Sequence, residues 1–211
     1  MYISTTSLLE QRRLPAYSFN PRMNLKDYDL DVLVAELEEM LPGVLPDGIE
    51  VVFDLAGSEL KVMTDSLKLK GAFLNLIENA GDALSPGGSL TVSTSRIRFT
   101  GGSNCSSSYA AGGCALVSFS DTGSGMSETV KERMFEPFFT TKTGKDRGLG
   151  CTLAQRIVEC HNGRISVDSI INRGTRVRIY LPLIRTDRPH VMPIPLPSSF
   201  TMKIARAGVR G

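Results

Sequence analysis

The chain has 211 residues, room for one domain of ordinary size plus an appendage, and its 41% hydrophobic and 22% charged composition excludes collagenous, coiled-coil and wholly disordered readings. No apolar run approaches the ~20 residues needed to cross a bilayer, and Arg12 and Arg13 follow rather than precede the short Ser7-Leu8-Leu9 stretch, so neither a membrane span nor a secretory leader is expected. The net charge of +2 is uneven: residues 184–211 hold five basic side chains and one acidic, which leaves the body at −2, with no field to capture nucleic acid.

Residues 1–28 are polar and broken by Pro15 and Pro21, with only Ser7–Arg13 suited to a helical turn, so the chain opens on a lead-in, set at residues 1–24. Leu30, Leu33, Val34, Leu37 and Leu41 recur at helical spacing; Asp31 is placed to cap that helix and Pro42-Gly43 to end it. Ile49–Leu55 and Val62-Met63-Thr64 read as strands, and Asp65 caps a long helix to about Leu84, stopped by Ser85-Pro86-Gly87-Gly88. Leu90–Phe99 and Ala115–Ser120 are strands joined by the Gly/Ser-rich residues 100–113. Ser127 caps a short helix to about Met134, and Thr152–His161 forms another, ended by Asn162-Gly163. Arg164–Ile170 and Thr175–Leu181 close the pattern as strands around Asn172-Arg173-Gly174. Four of the eleven prolines fall between Pro189 and Pro197, so residues 184–211 read as a flexible basic tail. Helices and strands mix without strict alternation, which predicts an α+β two-layer sandwich with helices on one face of a largely antiparallel sheet. Cys105, Cys114, Cys151 and Cys160 form no CxxC pair and read as reduced thiols of a cytoplasmic protein.

The long helix carries an anomaly. Asn75, Asn79 and Asp82 fall at i, i+4 and i+7 with Glu78 beside them, a polar face on a helix that is apolar around most of its girth. A solvated stripe is the plainest account, yet asparagines are middling helix formers, and an amide oxygen with a carboxylate at that spacing suits a hydrated Mg²⁺ and its phosphates. Asp121-Thr122-Gly123-Ser124-Gly125-Met126 leaves a strand and enters a helix. It fits an ordinary turn, and equally a loop whose glycines admit a flat ligand while the carboxylate accepts from an exocyclic amine. Residues 140–150 are punctuated by Gly144, Gly148 and Gly150, carry Lys142, Lys145 and Arg147, and precede a helix. That suits an anion site as well as a surface loop, and it does not match the Walker pattern.

Taken in order, Asn75-Leu-Ile-Glu-Asn79-Ala-Gly-Asp82, Asp121-x-Gly123-x-Gly125, Phe135-Glu-Pro137-Phe138-Phe139-Thr-Thr-Lys142, Gly148-Leu149-Gly150 and Gly174-Thr175 resemble the catalytic ATP-binding domain of sensor histidine kinases. That domain belongs to the ATPase superfamily shared with gyrase, the mismatch-repair clamp and a heat-shock chaperone. The resemblance runs from about Leu25 to Leu183 and implies a mixed sheet backed by three helices, with ATP and Mg²⁺ as cofactors. It implies that Asn79 ligates Mg²⁺ with Asn75 and Asp82 beside the phosphates, and that Asp121 binds the adenine amino group while Gly123 and Gly125 make room for the base. Phe135–Phe139 would anchor a mobile lid over Thr140–Arg147, with Lys142, Gly148, Leu149, Gly150 and Thr175 also lining the nucleotide. The implied partners are a histidine-bearing dimerisation hairpin, of which residues 1–24 would be a remnant, and a response regulator; neither nucleic acid nor a membrane is expected.

Two departures carry weight. In the gyrase-like and serine-kinase branches the position of Asn75 holds a glutamate base; an amide cannot take a proton, whereas a histidine nucleophile already offers a lone pair at neutral pH. Glu78 is expected to aim elsewhere. The alternatives left are an ATP-hydrolysing clamp or serine kinase, which Asn75 disfavours, and a nucleotide sensor without catalysis. The chain's two histidines, His161 at a helix end and His190 in the tail, do not lie upstream of the ATP domain, so the acceptor is expected on another segment or chain. Cys151 stands where such domains commonly have leucine or methionine.

Overall fold

The computed structural model describes residues 22–98, 113–142 and 148–184 and the backbone of 200–204. The lead-in up to residue 21, nearly all of the Gly/Ser-rich 100–113 segment, and the tail with His190 apart from 200–204 lie outside the described residues. Alternation decides the main sheet. β2 (Glu50–Leu55) buries Val51 and Phe53, β4 (Ser89–Ile97) buries Leu90, Val92 and Thr94, and β5 (Cys114–Asp121) buries Ala115, Val117 and Phe119. β7 (Gly174–Pro182) does the same with Val177, Ile179 and Leu181 beside β6 (Arg164–Ile170). The six strands run in the order β6-β7-β5-β4-β2-β8, with β8 spanning Phe200–Ile204; only β2 and β4 pair in parallel.

The apolar inner face is covered by α1 (Leu30–Ala35), α2 (Ser66–Ala83) and α4 (Gly150–Cys160), while α3 (Glu128–Arg133) lies beside β6. The α+β sandwich with a mixed, mostly antiparallel sheet is therefore the fold observed. The central element is α2, started by the Asp65 carboxylate, which accepts the backbone N–H of Lys68 at 3.2 Å. Phe73 on its buried face meets Phe119 of β5 with ring centroids 5.3 Å apart and planes tilted by 59°, a favoured aromatic geometry.

Several elements differ from the sequence reading. Part of the expected lead-in is a strand, β1 (Lys26–Asp29), paired antiparallel with β3 (Lys61–Thr64). Asp29, not Asp31, caps α1 by accepting the Asp31 N–H; Asp31 instead takes Thr94 Oγ1 at 2.5 Å and Gly57 N at 2.9 Å, tying the helix to the sheet. The helix expected through Leu41 stops at Ala35, and a 3-10 segment, Glu38–Gly43, follows; Pro42, which lacks an N–H, lies within that segment and precludes an α-helical bond to Glu38 O. The reading placed no element in the tail, yet the backbone of 200–204 pairs with β2.

His161 joins the ends of α4 and α2. Its Nδ1–H donates to Ile157 O at 2.7 Å and its Nε2 accepts the Asp65 N–H at 3.0 Å, so the imidazole is neutral as well as buried. Burial holds its pKa below the ordinary 6.5. The folded state therefore binds fewer protons than the unfolded one just below that value: the contribution is complete above it and declines as pH falls. Asp65, held at about 2 chiefly by the Lys68 ammonium, stays ionised across the same window. We expect the urea-midpoint advantage of the wild type over His161→Gln to shrink between about pH 7.5 and about pH 5.5. A constant difference across that range would remove this role.

Candidate functional site

The site lies where β5 ends, between the C-terminal half of α2 and the start of α4. A cavity of about 260 Å³ has the sheet side chains Phe119 and Val177 on one side and Asn75, Asn79 and Asp82 on another. The helix puts these polar groups there for a geometric reason: Leu69, Phe73, Leu76 and Ile77 must face the sheet, which leaves the 75/78/79/82 stripe facing the opening. Glu78 is in that stripe and lines the cavity, against the expectation that it would aim elsewhere. Apolar walls with a few convergent polar groups are the usual make-up of a small-molecule site.

Asp121 terminates β5 with only 8% of its surface exposed. Its Oδ1 accepts Gly123 N at 2.9 Å and Thr175 N at 3.1 Å, so Oδ2 remains for a ligand. Burial pushes its pKa up and the two backbone donors pull it back. The loop that follows is held by close backbone approach. Gly125 has φ +64°, and a Cβ there would lie 2.1 Å from Ile170 O; Gly174 has φ +92°, and a Cβ would lie 1.9 Å from Asp121 O. Neither position tolerates a side chain. Gly123 is likewise short of room for a side chain. A Cβ on it would meet Ala83 O at 2.5 Å, so it lets the loop pack on the end of α2 and does not line the cavity, whereas Gly125 does. Thr175 lines the cavity, and its Oγ1 is 2.9 Å from Ser169 Oγ, which in turn accepts Met126 N.

Across the cavity, Phe138 N donates to Gly148 O at 3.0 Å and pins the base of the 140–150 loop, of which residues 143–147, with Gly144, Lys145 and Arg147, lie outside the described residues. Arg133 stacks 4.3 Å over the Phe139 ring at this base. From it Lys142 reaches α2: its Nζ donates to Asn79 Oδ1 at 3.0 Å and forms an ion pair with Asp82. Asn79 Nδ2 donates to Cys151 Sγ at 3.0 Å, which fixes the amide with its oxygen toward Lys142. Asn79 and Asp82 thus already converge on a cation, and their oxygen chemistry fits a hard divalent ion. No cluster of three or more His, Cys, Asp or Glu exists among the described residues, so such an ion would complete its shell with phosphate and water.

Of the expected residues, Asn75, Asn79, Asp82, Asp121, Gly125, Lys142, Gly148, Gly150 and Thr175 line one cavity; Gly123 and Leu149 do not, Leu149 being the residue before the first turn of α4. A Cβ on Gly150 would come no closer than 3.8 Å to Asn75, so packing there does not demand glycine. The sequence reading missed the contact of Cys151 with Asn79. Only its position, one residue after Gly150, hinted at it.

Residues 64–185 match the family described as histidine kinase-, DNA gyrase B-, and HSP90-like ATPase. The sensor kinase CckA of Brucella abortus is 31% identical over 186 residues, covering 87% of this chain but 20% of that protein. Sporulation kinase B of Bacillus subtilis is 29% identical over 164 residues, 77% of this chain and 34% of that protein. The chain therefore spans about a third or less of these relatives. Among solved structures, the catalytic domain of histidine kinase ThkA superposes with a TM-score of 0.60 at 26% identity, over 76% of this chain and 97% of that one.

The amide–thiol contact gives a test of the site's internal order. Losing one hydrogen bond costs roughly 1 kcal/mol, about five-fold in affinity. Cys151→Leu should weaken Mg²⁺-dependent nucleotide binding by about that factor in calorimetry, and Cys151→Ser, which keeps an acceptor, should stay near wild type. Equal affinities in all three would show that Asn79 needs no such support.

Proposed function

Because the chain belongs to the histidine kinase-, DNA gyrase B-, and HSP90-like ATPase family, we propose that it is the ATP-binding catalytic module of a sensor histidine kinase, passing the γ-phosphoryl group of ATP to a histidine on another segment or chain. The observation that carries the reading is the joining of Asp121 and the Asn75/Asn79/Asp82 stripe in one cavity, with a cationic loop at its edge. Asp121 accepts from the adenine amino group through Oδ2, and Gly125 and Thr175 border the base. Asn79, with Asp82, holds Mg²⁺, which when bound neutralises charge on the phosphates. Asn75, Lys142, Gly148, Leu149 and Gly150 flank the phosphates; Leu149 does so through the backbone that opens α4.

In the transfer, the bond from the γ-phosphorus to the bridging oxygen breaks as one to the imidazole nitrogen forms, and ADP leaves. The chain's own residues hold the phosphates in line and exclude competing water. The Asn75 amide cannot activate that water, which favours transfer over hydrolysis. Glu78 supports a second reading, since it puts a carboxylate on the cavity. Steady ATP hydrolysis by the chain alone, abolished in Glu78→Gln, would favour that reading. The reading carries with it a cytoplasmic setting, a histidine-bearing hairpin as acceptor and a response regulator downstream; among the described residues no helix is long and apolar enough to cross a membrane.

His161 has both ring nitrogens engaged in the interior and cannot serve as acceptor. Incubation with γ-labelled ATP should therefore leave the isolated chain unlabelled and should label, in acid-labile and alkali-stable form, a histidine-bearing hairpin from a related sensor kinase added in trans. Acid-stable label would indicate a serine kinase. Acid-labile label on the chain itself, lost in His161→Ala or in His190→Ala, would contradict the proposal.

A further inference from the structure

Lys142 is placed as more than a phosphate contact. Its ammonium bonds Asn79 Oδ1 at 3.0 Å and pairs with Asp82, the two oxygen donors that the proposed site offers a divalent cation. The backbone bond between Phe138 and Gly148 pins the loop four residues earlier, so the lysine is held within reach of α2. The Cys151 contact orients the Asn79 amide so that its oxygen, not its nitrogen, faces the cation. Lys142 and Asp82 are 33% and 49% exposed, and a pair this solvated is weak enough to be displaced.

We infer that Lys142 is an internal stand-in for the divalent cation: it holds Asn79 and Asp82 together in the nucleotide-free protein, and it must leave them before a metal can enter. The lysine then turns to the incoming phosphates, so metal entry and phosphate contact by Lys142 become one exchange of partners. The inference rests on the proposed nucleotide site and adds a competition to it. A lysine that only bound phosphate would help nucleotide equally with and without metal, whereas a competitor for the metal's ligands must change the ratio between the two.

The experiment is calorimetric titration of the whole chain with the non-hydrolysable analogue AMPPNP, in EDTA and in excess Mg²⁺, for wild type, Lys142→Gln and Asp82→Asn. In wild type Mg²⁺ improves affinity by some factor. Lys142→Gln should raise that factor at least about ten-fold, because the competitor is gone and, without metal, Asp82 is left to repel the phosphates. Asp82→Asn should move it the other way by removing a metal ligand. An unchanged factor in Lys142→Gln, with affinity lost equally in both buffers, would overturn the exchange and leave Lys142 an ordinary phosphate contact. If wild type binds the analogue in neither buffer, the nucleotide site itself is wrong, an outcome distinct from failure of the exchange.

Discussion

Asp121 ends β5 with its carboxylate buried, and its two backbone hydrogen bonds, from Gly123 and Thr175, fasten the next loop and the start of β7 around it. Burying a carboxylate is costly, so the surrounding backbone has to come close enough to bond it. The backbone around it is packed closely: a Cβ at Gly123, Gly125 or Gly174 would lie 2.5 Å or less from the carbonyl oxygen of Ala83, Ile170 or Asp121 respectively. The loop in turn packs on the end of α2, through Ser124 N to Ala83 O at 2.9 Å, and so fixes how far the polar stripe of that helix stands from the carboxylate. Asn172 N–H donates to Ser124 O at 2.7 Å and Met126 N–H to Ser169 Oγ at 2.8 Å, so the β6–β7 turn is tied to the same loop.

The second constraint is charge. α2 offers the cavity two amides and two carboxylates, and the opposite wall supplies Lys142. Anionic phosphates would be repelled by Glu78 and Asp82 without cations to intervene. The arrangement is therefore suited to a ligand that brings or recruits positive charge, and unsuited to a bare anion. Under the proposed function, the Asn75 amide on this wall cannot take a proton from water, which goes with positioning a phosphoryl group more than with activating water.

What the sequence made legible was periodic or collinear. The α2 cap at Asp65, the alternating strands and the order of the glycine-bearing segments are local patterns, and the structure assembles them as one end of a sheet under one helix. What it hid depended on partners far along the chain. β1 is four residues with no fully buried side chain, so its sequence carries no alternation; it exists because β3 pairs with it. The backbone strand at 200–204 likewise needs β2 as its template. Asp31 read as the α1 cap, but its carboxylate is taken up by Thr94 Oγ1 and Gly57 N, and Asp29 accepts the Asp31 N–H instead. Gly123, read as space for a ligand, lies against Ala83 O of a distant helix, and Cys151, read only as a departure from leucine or methionine, accepts the Asn79 amide from 72 residues away.

The central claim is that Asp121 selects adenine through its exocyclic amine, and it is tested most directly by comparing ATP with inosine triphosphate, which carries a carbonyl oxygen in place of that amine. A buried acceptor left facing another acceptor is unpaired, which costs on the order of 1–3 kcal/mol, roughly five- to 150-fold in affinity. In competition titrations at fixed Mg²⁺, wild type should prefer ATP by at least about five-fold, and Asp121→Asn, whose amide can donate as well as accept, should lose most of that preference. Equal affinity of the wild type for the two nucleotides, or a preference unchanged in Asp121→Asn, would contradict the account.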